Sequence, residues 1–184
     1  MELDLFAGLS LMMDAHPMSP ASGLTRSVFV PPDTLPAAAG RLLESDYHLE
    51  DISGLDCTEG ILVNYHFNRY DRPDRIVMRV LCSHDGGIVP SIASVFAGAE
   101  WHERELCDFF GVTFEGNPNS APLLLTPDER LVPLRKASQA RRLVRELMEH
   151  GDIVYQSSDF DLFDPQGPAG TPVDKAEGTE GEEA

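Results

Sequence analysis

No run of apolar residues in this chain is long enough to cross a membrane. Spanning a bilayer takes about 18 uninterrupted apolar residues, and the nearest candidate, residues 86–99, is shorter and contains Pro90. The first 15 residues contain no Lys or Arg, whereas a secretory signal normally begins with a positively charged region. We therefore expect a protein that remains in the cytoplasm.

Cysteine is scarce, and the motifs of independent enzymes are missing. Cys57, Cys82 and Cys107 are odd in number and form no CxxC pair, which argues against a disulfide framework and against an iron–sulfur cluster or structural zinc held by this chain alone. No G-x-G-x-x-G, P-loop, G-x-S-x-G or nucleophile–base pattern is present. We expect no catalytic, cofactor-binding or metal-binding residue in the chain.

Basic residues are few compared with acidic ones. The chain has 14 Lys and Arg against 31 Asp and Glu, which gives a formal net charge of −17. Such an acidic protein repels phosphate backbones and anionic lipid headgroups, so we expect neither nucleic acid nor direct membrane contact. The 42% of hydrophobic residues is ordinary for a globular protein, and 184 residues allow one compact domain with additional segments.

The spacing of apolar residues predicts an α+β fold. Strict alternation places Ile61, Val63, Tyr65 and Phe67 on one face of a strand. The predicted elements are strands at residues 26–30, 47–52 (weak), 60–68, 75–83 and around 112–114, and helices at residues 34–45, from 92 or 95 to 110, and at 138–150. This order predicts a small, mostly antiparallel sheet with helices on one face.

Composition divides the chain into five parts. The predicted parts are an N-terminal arm (1–25), an α+β domain (26–116), an extended docking segment (117–137), a C-terminal helix and arm (138–165) and a disordered acidic tail (166–184). The third part, called here the extended segment, contains four prolines, which prevent a long regular element. The tail is rich in Pro, Gly, Thr and Glu, a composition typical of disorder.

The helix predicted to end at residue 110 carries the most informative sequence. Glu100, Arg104 and Asp108 follow one another at i, i+4 steps, which predicts a ladder of opposite charges on one helix face. Exposed pairs of this kind contribute only about 0.3–0.5 kcal/mol each. Stability alone therefore does not explain the ladder. It is either a solvated face or a surface that orients a partner.

Three other features leave alternatives open. His102, Glu105 and Cys107 lie close together in sequence, but a metal site needs three or four converging ligands and no second cluster accompanies them. Trp101, the only tryptophan, is either a partner anchor or a packing residue. The basic residues between 135 and 145 form either a solvated helix face or a surface for an acidic partner.

Several short motifs follow one another from residue 103 onward. The motif residues are Glu103, Arg104, Glu105, Asp108, Gly111, Gly116 and Pro118, then Leu123, Leu124 and Leu125, then Pro133, Leu134, Arg135 and Lys136. Their order resembles the signature of the 30 kDa subunit (the C subunit) of respiratory complex I (NADH:quinone oxidoreductase) and of related membrane-bound hydrogenases. The resemblance covers roughly residues 26–137.

The sequence departs from this family pattern inside the extended segment. Asn117 stands where the family usually has His, and Ser120, Ala121 and Pro122 replace a usual Leu-Arg-Arg. In the family this segment docks on the large hydrogenase-like subunit. The departures imply a divergent branch, which could receive electrons from ferredoxin, another reduced carrier or hydrogen.

The resemblance implies a non-catalytic scaffold subunit in the peripheral arm of a complex I-like NADH (or ferredoxin or other donor):quinone oxidoreductase. Its partners would be the large hydrogenase-like subunit and cluster-bearing subunits, which would hold the iron–sulfur clusters and the quinone or nickel–iron centre. Leu123 to Leu125 would lie on the large subunit, and Arg135 and Lys136 would pair with partner carboxylates. The chain would reach the inner face of the cell membrane only through the complex. The alternatives are the equivalent subunit of a membrane-bound nickel–iron hydrogenase and a free-standing acidic interaction domain.

Overall fold

The computed structural model describes residues 4–17, 23–126, 131–147 and 153–154. The strands are β1 (Met13–Pro17), β2 (Leu24–Phe29), β3 (Tyr47–Asp56), β4 (Ile61–Arg69), β5 (Arg75–Cys82), β6 (Ile88–Pro90), β7 (Thr113–Glu115) and β8 (Ile153–Val154). The α-helices are α1 (Leu35–Glu44), α2 (Ala99–Phe110) and α3 (Val144–Leu147), and 3-10 turns occupy Pro32–Thr34 and Ser138–Ala140.

A five-stranded sheet in the order β3-β4-β5-β2-β1 forms the centre, and the two-residue β8 lies beside β1. Strands β2 and β5 are parallel, and every other neighbouring pair in this sheet is antiparallel. Strands β6 and β7 form a separate parallel pair. The mostly antiparallel sheet with helices confirms the predicted α+β class.

One face of the sheet carries the main core. The predicted alternation is confirmed, because Ile61, Val63, Tyr65 and Phe67 of β4 are all fully buried in one cluster. Inward-facing residues of both α1 and α2 belong to the same cluster, which places the two helices on one face. A smaller cluster includes Leu62 of β4 together with Val144 of α3, so successive β4 residues serve two cores.

The N-terminal segment differs from the prediction of a loose arm. Phe6 is buried in the main core, and β1 pairs with β2 along Met13–Ala15. Met13 and Ala15 are buried in the second cluster. Buried and more accessible residues alternate over only a few positions of β1, which is too short a pattern to predict a strand from the sequence alone.

The boundaries of the predicted helices are confirmed in part. Helix α1 lies within one residue of its predicted limits at each end. Its buried residues are Leu35, Ala38, Ala39 and Leu42, and Leu43 is exposed. Helix α2 ends at Gly111 as predicted, with φ at 68°. It begins only at Ala99, after separate turns at residues 93–95 and 97–98.

The helix predicted at residues 138–150 is interrupted in the structure. Arg141 is extended, and the backbone of Thr58 donates to the Arg142 carbonyl at 2.9 Å. The Val144 N–H donates to the Glu59 carboxylate at 3.0 Å. These bonds to the end of the sheet replace helical bonds, so tertiary contacts override local propensity. Residues 148–150 and the predicted acidic tail lie outside the described residues.

Within the described ranges, no helix combines the length and the apolar character that crossing a bilayer requires.

Candidate partner-binding surface

Helix α2 lies against β3 with one face and leaves the other open. Leu106 and Phe110 belong to the main core. Gly54 of β3 permits the close approach, since a Cβ atom at this position would lie 2.7 Å from the Phe110 ring. On the opposite side of the helix Trp101 is 61% exposed, which excludes a core-packing role for this residue.

Glu103 lies on the buried face of α2 and has no exposed surface. Its carboxylate accepts hydrogen bonds from the Ser91 hydroxyl at 2.6 Å, the Ile92 N–H at 2.8 Å and the Asn117 side-chain amide at 2.7 Å. Burial raises the pKa of Glu103, and the three hydrogen bonds oppose this rise only in part. Glu103 thereby joins α2 to residues 91–92 and to the start of the extended segment.

Arg104 holds the next part of the extended segment. Its Nε donates to the Ala121 carbonyl at 2.9 Å, and its Nη2 donates to the Pro122 carbonyl at 3.1 Å. Nη1 also lies 3.5 Å from Glu100 Oε1, which forms the first step of the predicted charge ladder. The Arg104 side chain is only 12% exposed, so the guanidinium serves the fold of this chain.

Asp108 does not complete the ladder and instead binds the backbone of the extended segment. Its Oδ2 accepts the N–H groups of Leu123, Leu124 and Leu125 at 2.9, 2.7 and 3.1 Å. Burial favours a higher pKa for Asp108, but the three N–H donors outweigh it and lower the pKa below its usual value. Consecutive amides converging on one carboxylate fix the backbone of these leucines.

Arg135, which was expected to pair with a partner carboxylate, binds two backbone carbonyls of its own chain. Its Nε donates to the Phe110 carbonyl and its Nη2 to the His84 carbonyl, both at 2.7 Å. The neighbouring Leu134 N–H donates to the Phe109 carbonyl at 3.2 Å. Arg135 therefore caps the C-terminal end of α2, where a cation is favourable. The Lys136 side chain is exposed.

Asp56 is a third buried carboxylate, and the sequence motifs did not indicate it. It accepts the Lys136 N–H at 2.6 Å, lies 3.0 Å from Arg141 Nε and lies 2.8 Å from His84 Nε2. Burial favours a higher pKa for Asp56, but these hydrogen bonds outweigh it and lower the pKa. The predicted strand ends at residue 52, so Asp56 had no assigned place in the sheet.

The remaining motif residues have different surroundings. Glu105 is half-buried and makes no hydrogen bond or ion pair with any described residue. Gly116 has φ at 88°, which suits the turn after β7 and favours glycine. Pro118 and Pro133 are exposed. In the described part of the chain, no group of three His, Cys, Asp or Glu side chains could hold a metal ion.

The extended segment exposes its apolar side chains although its backbone is held. The exposed fractions are 59% for Leu124, 65% for Leu131 and 51% for Leu134. Leu123 and Leu125 are half-buried. Together with Trp101 these residues define the candidate surface, and tryptophan is among the residues enriched at the centres of protein interfaces.

Comparisons with known proteins confirm the family that the sequence was predicted to resemble. Residues 28–143 match the family described as "Respiratory-chain NADH dehydrogenase, 30 Kd subunit". The chain is 39% identical over 92 residues to the C subunit of NADH-quinone oxidoreductase from Chlorobium phaeobacteroides, covering 50% of this chain and 51% of that one. It is 37% identical over 79 residues to the C/D subunit of NADH-quinone oxidoreductase from Proteus mirabilis, covering 43% of this chain and 13% of that one.

A solved structure shares the fold over most of both chains. It belongs to the membrane-bound sulfane sulfur reductase, an archaeal respiratory membrane complex, with a TM-score of 0.58, 25% identity and coverage of 72% of this chain and 80% of that one. The chain spans about half the length of the Chlorobium relative. Because the family match extends over more than half of the sequence, the chain belongs to the family of the 30 kDa subunit of respiratory-chain NADH dehydrogenase.

Proposed function

We propose that this chain is a non-catalytic scaffold subunit in the peripheral arm of a complex I-like NADH (or ferredoxin or other donor):quinone oxidoreductase. The observation that supports this role most strongly is the extended segment: the chain's own domain holds its backbone at residues 121–125 and 134–136, while Leu124, Leu131 and Leu134 remain more than half exposed. A partner that covers these leucines gains apolar burial.

The bonds from α2 lower the cost of such docking. Asp108 already pairs the N–H groups of Leu123 to Leu125, and Arg104 pairs the carbonyls of Ala121 and Pro122. Covering this backbone therefore leaves those polar groups with partners, whereas burial of unpaired ones would be costly. An ordered segment also loses less conformational entropy on binding than an unstructured one.

The proposed partner is the large hydrogenase-like subunit of the same complex. The relative from Proteus mirabilis supports this proposal because its name joins the C and D subunits and this chain matches only 13% of it. A C-type domain that lies beside a D-type neighbour needs a surface that contacts it. Iron–sulfur clusters and the quinone site would then belong to partner subunits, and the chain would reach the inner face of the cell membrane through the complex.

The test is co-purification of a tagged full chain, expressed in its native cell, with its complex. We expect the double variant Leu124→Asp/Leu134→Asp to recover at least tenfold less of the partner subunits, because it places charges in an apolar contact. The matched control Leu43→Asp changes a similarly exposed leucine on α1 and should recover the wild-type amount. Equal recovery with all variants would contradict the proposal. Thermal melting of the purified chains checks that each variant is folded.

A second candidate is the equivalent subunit of a membrane-bound nickel–iron hydrogenase. The fold also occurs in a chain of the archaeal sulfane sulfur reductase, a respiratory membrane complex that is not named for NADH or quinone, so the fold alone does not select the NADH-driven complex. Nickel in stoichiometric amount in the purified complex would support the hydrogenase, whereas NADH:quinone activity without nickel would support the first candidate. Recovery of the tagged chain alone would favour a free-standing interaction domain.

A further inference from the structure

The outward face of α2 carries one acid, Glu105, that forms no hydrogen bond or ion pair with another residue of the described ranges. Trp101 and Glu105 are separated by four residues and therefore lie on the same side of the helix. Glu103 lies on the opposite, buried side. Trp101 is exposed and Glu105 is half-buried, so both are accessible to a partner.

Every other acid of α2 has a partner. Glu100 accepts a bond from Asn119 and lies near Arg104. Glu103 accepts three hydrogen bonds, and so does Asp108. Among the described residues, Glu105 has neither a hydrogen bond nor an ion pair. Because part of the Glu105 side chain is accessible, its carboxylate can meet a cationic group of a partner.

The two arginines that contact α2 are already engaged. Arg104 donates to the Ala121 and Pro122 carbonyls, and its guanidinium lies 5.8 Å from the centre of the Trp101 ring. Arg135 donates to the Phe110 and His84 carbonyls at the end of the helix. Neither guanidinium could turn to Glu105 without losing these bonds, so neither of these two arginines supplies a counter-charge for Glu105.

We infer that Glu105 binds an arginine side chain of the partner subunit, presented on an apolar segment that covers Trp101 and Leu124. This inference rests on the proposed function and names the chemistry of its partner. A guanidinium suits the site because it pairs with a carboxylate through two parallel bonds and also stacks on aromatic rings. The net charge of −17 further favours a basic partner segment.

The test measures how tightly the full chain rebinds to its complex after the wild-type chain has been removed. We expect Glu105→Gln to weaken binding roughly tenfold and Glu105→Arg roughly a hundredfold, since an interfacial charge loses its partner or meets a like charge. The matched controls are Glu44→Gln and Glu44→Arg, at an exposed position on α1, which should bind within twofold of wild type. Higher salt should weaken the wild type more than Glu105→Gln.

The outcomes separate this inference from the proposed function. If Leu124→Asp/Leu134→Asp abolishes rebinding while both Glu105 variants bind like wild type, the arginine contact is overturned and the docking surface stands. If none of these variants weakens rebinding, both proposals fail. Because Glu105 has no described partner within the chain, its variants should melt at the wild-type temperature, and unchanged melting with weaker rebinding supports the contact.

Discussion

In the sheet, Tyr65, Phe67 and Met78 are fully buried, whereas in the extended segment Leu124 and Leu134 are more than half exposed. The first region is stabilised by packing of apolar side chains, and the second is held by polar groups that bind its backbone. Removal of apolar volume should therefore unfold the first region, and removal of single acceptors should release the second. We expect the largest effects in the core and the smallest at the exposed leucines.

Phe67→Ala should cause the largest loss of stability. Phe67 is fully buried and its ring lies 5.4 Å from that of Phe96, so its truncation leaves a cavity in the main core. We expect the free energy of unfolding to fall by about 3–5 kcal/mol, measured by urea denaturation. A loss below about 1 kcal/mol would show that this region does not depend on packing as described.

Asp108→Ala should release the extended segment without unfolding the sheet. The N–H groups of Leu123, Leu124 and Leu125 lose their common acceptor, although water can replace it in part. We expect a loss of about 1–2 kcal/mol and roughly tenfold faster chymotrypsin cleavage within residues 123–125. The control Glu115→Ala alters an exposed acid on β7 and should change neither quantity. Equal cleavage of both variants would contradict the role of Asp108.

Glu103 should make stability depend on pH with a definite sign. Burial raises its pKa in the folded state, so the folded protein binds the proton more tightly than the unfolded chain does. The contribution of Glu103 is therefore fully present below the unfolded pKa and is lost as pH rises through the folded pKa.

Urea unfolding of wild type and Glu103→Gln at a series of pH values measures this effect. The difference in the free energy of unfolding, wild type minus variant, should fall as pH rises from the pKa of Glu103 in the unfolded chain to its higher pKa in the folded protein. It should fall by about 1.4 kcal/mol for each unit by which folding raises the pKa. A difference that rises with pH would show that the carboxylate is stabilised, rather than destabilised, by its buried site.

Leu124→Ala should have the smallest effect on the free chain. The side chain is more than half exposed, so we expect a change in unfolding free energy below about 0.5 kcal/mol. The same variant should nevertheless reduce recovery of the partner subunits in co-purification. A large loss of stability in the free chain would mean that Leu124 contributes to the fold rather than to a partner contact.

The sequence predicts the packed core better than it predicts the contacts of the extended segment. Helix α1 and strands β4 and β5 follow from apolar periodicity, a local signal that packing on one core then confirms. The bond from the Lys136 N–H to Asp56 joins residues 80 positions apart, and no local pattern indicates it. The helix predicted at residues 138–150 is interrupted near Arg141 for the same reason. Its backbone bonds to distant residues at the end of the sheet, and no local pattern indicates these bonds.

The motif residues illustrate the same limit at the candidate surface. The i, i+4 spacing of Glu100, Arg104 and Asp108 correctly predicted the first ion pair, at 3.5 Å. It could not predict that Asp108 accepts three backbone N–H groups, because backbone donors carry no sequence signature. The prediction that the extended segment lies on another protein depends on side chains that this chain alone leaves exposed, and it stays a prediction.

Hydrogen–deuterium exchange of the Leu123, Leu124 and Leu125 amides, in the free chain and in the assembled complex, tests the central claim most directly. If the domain itself orders the extended segment, the amides bound to Asp108 should exchange slowly in the free chain and gain little protection on assembly. Exchange at the rate of an unstructured peptide in the free chain, with protection only in the complex, would contradict the account.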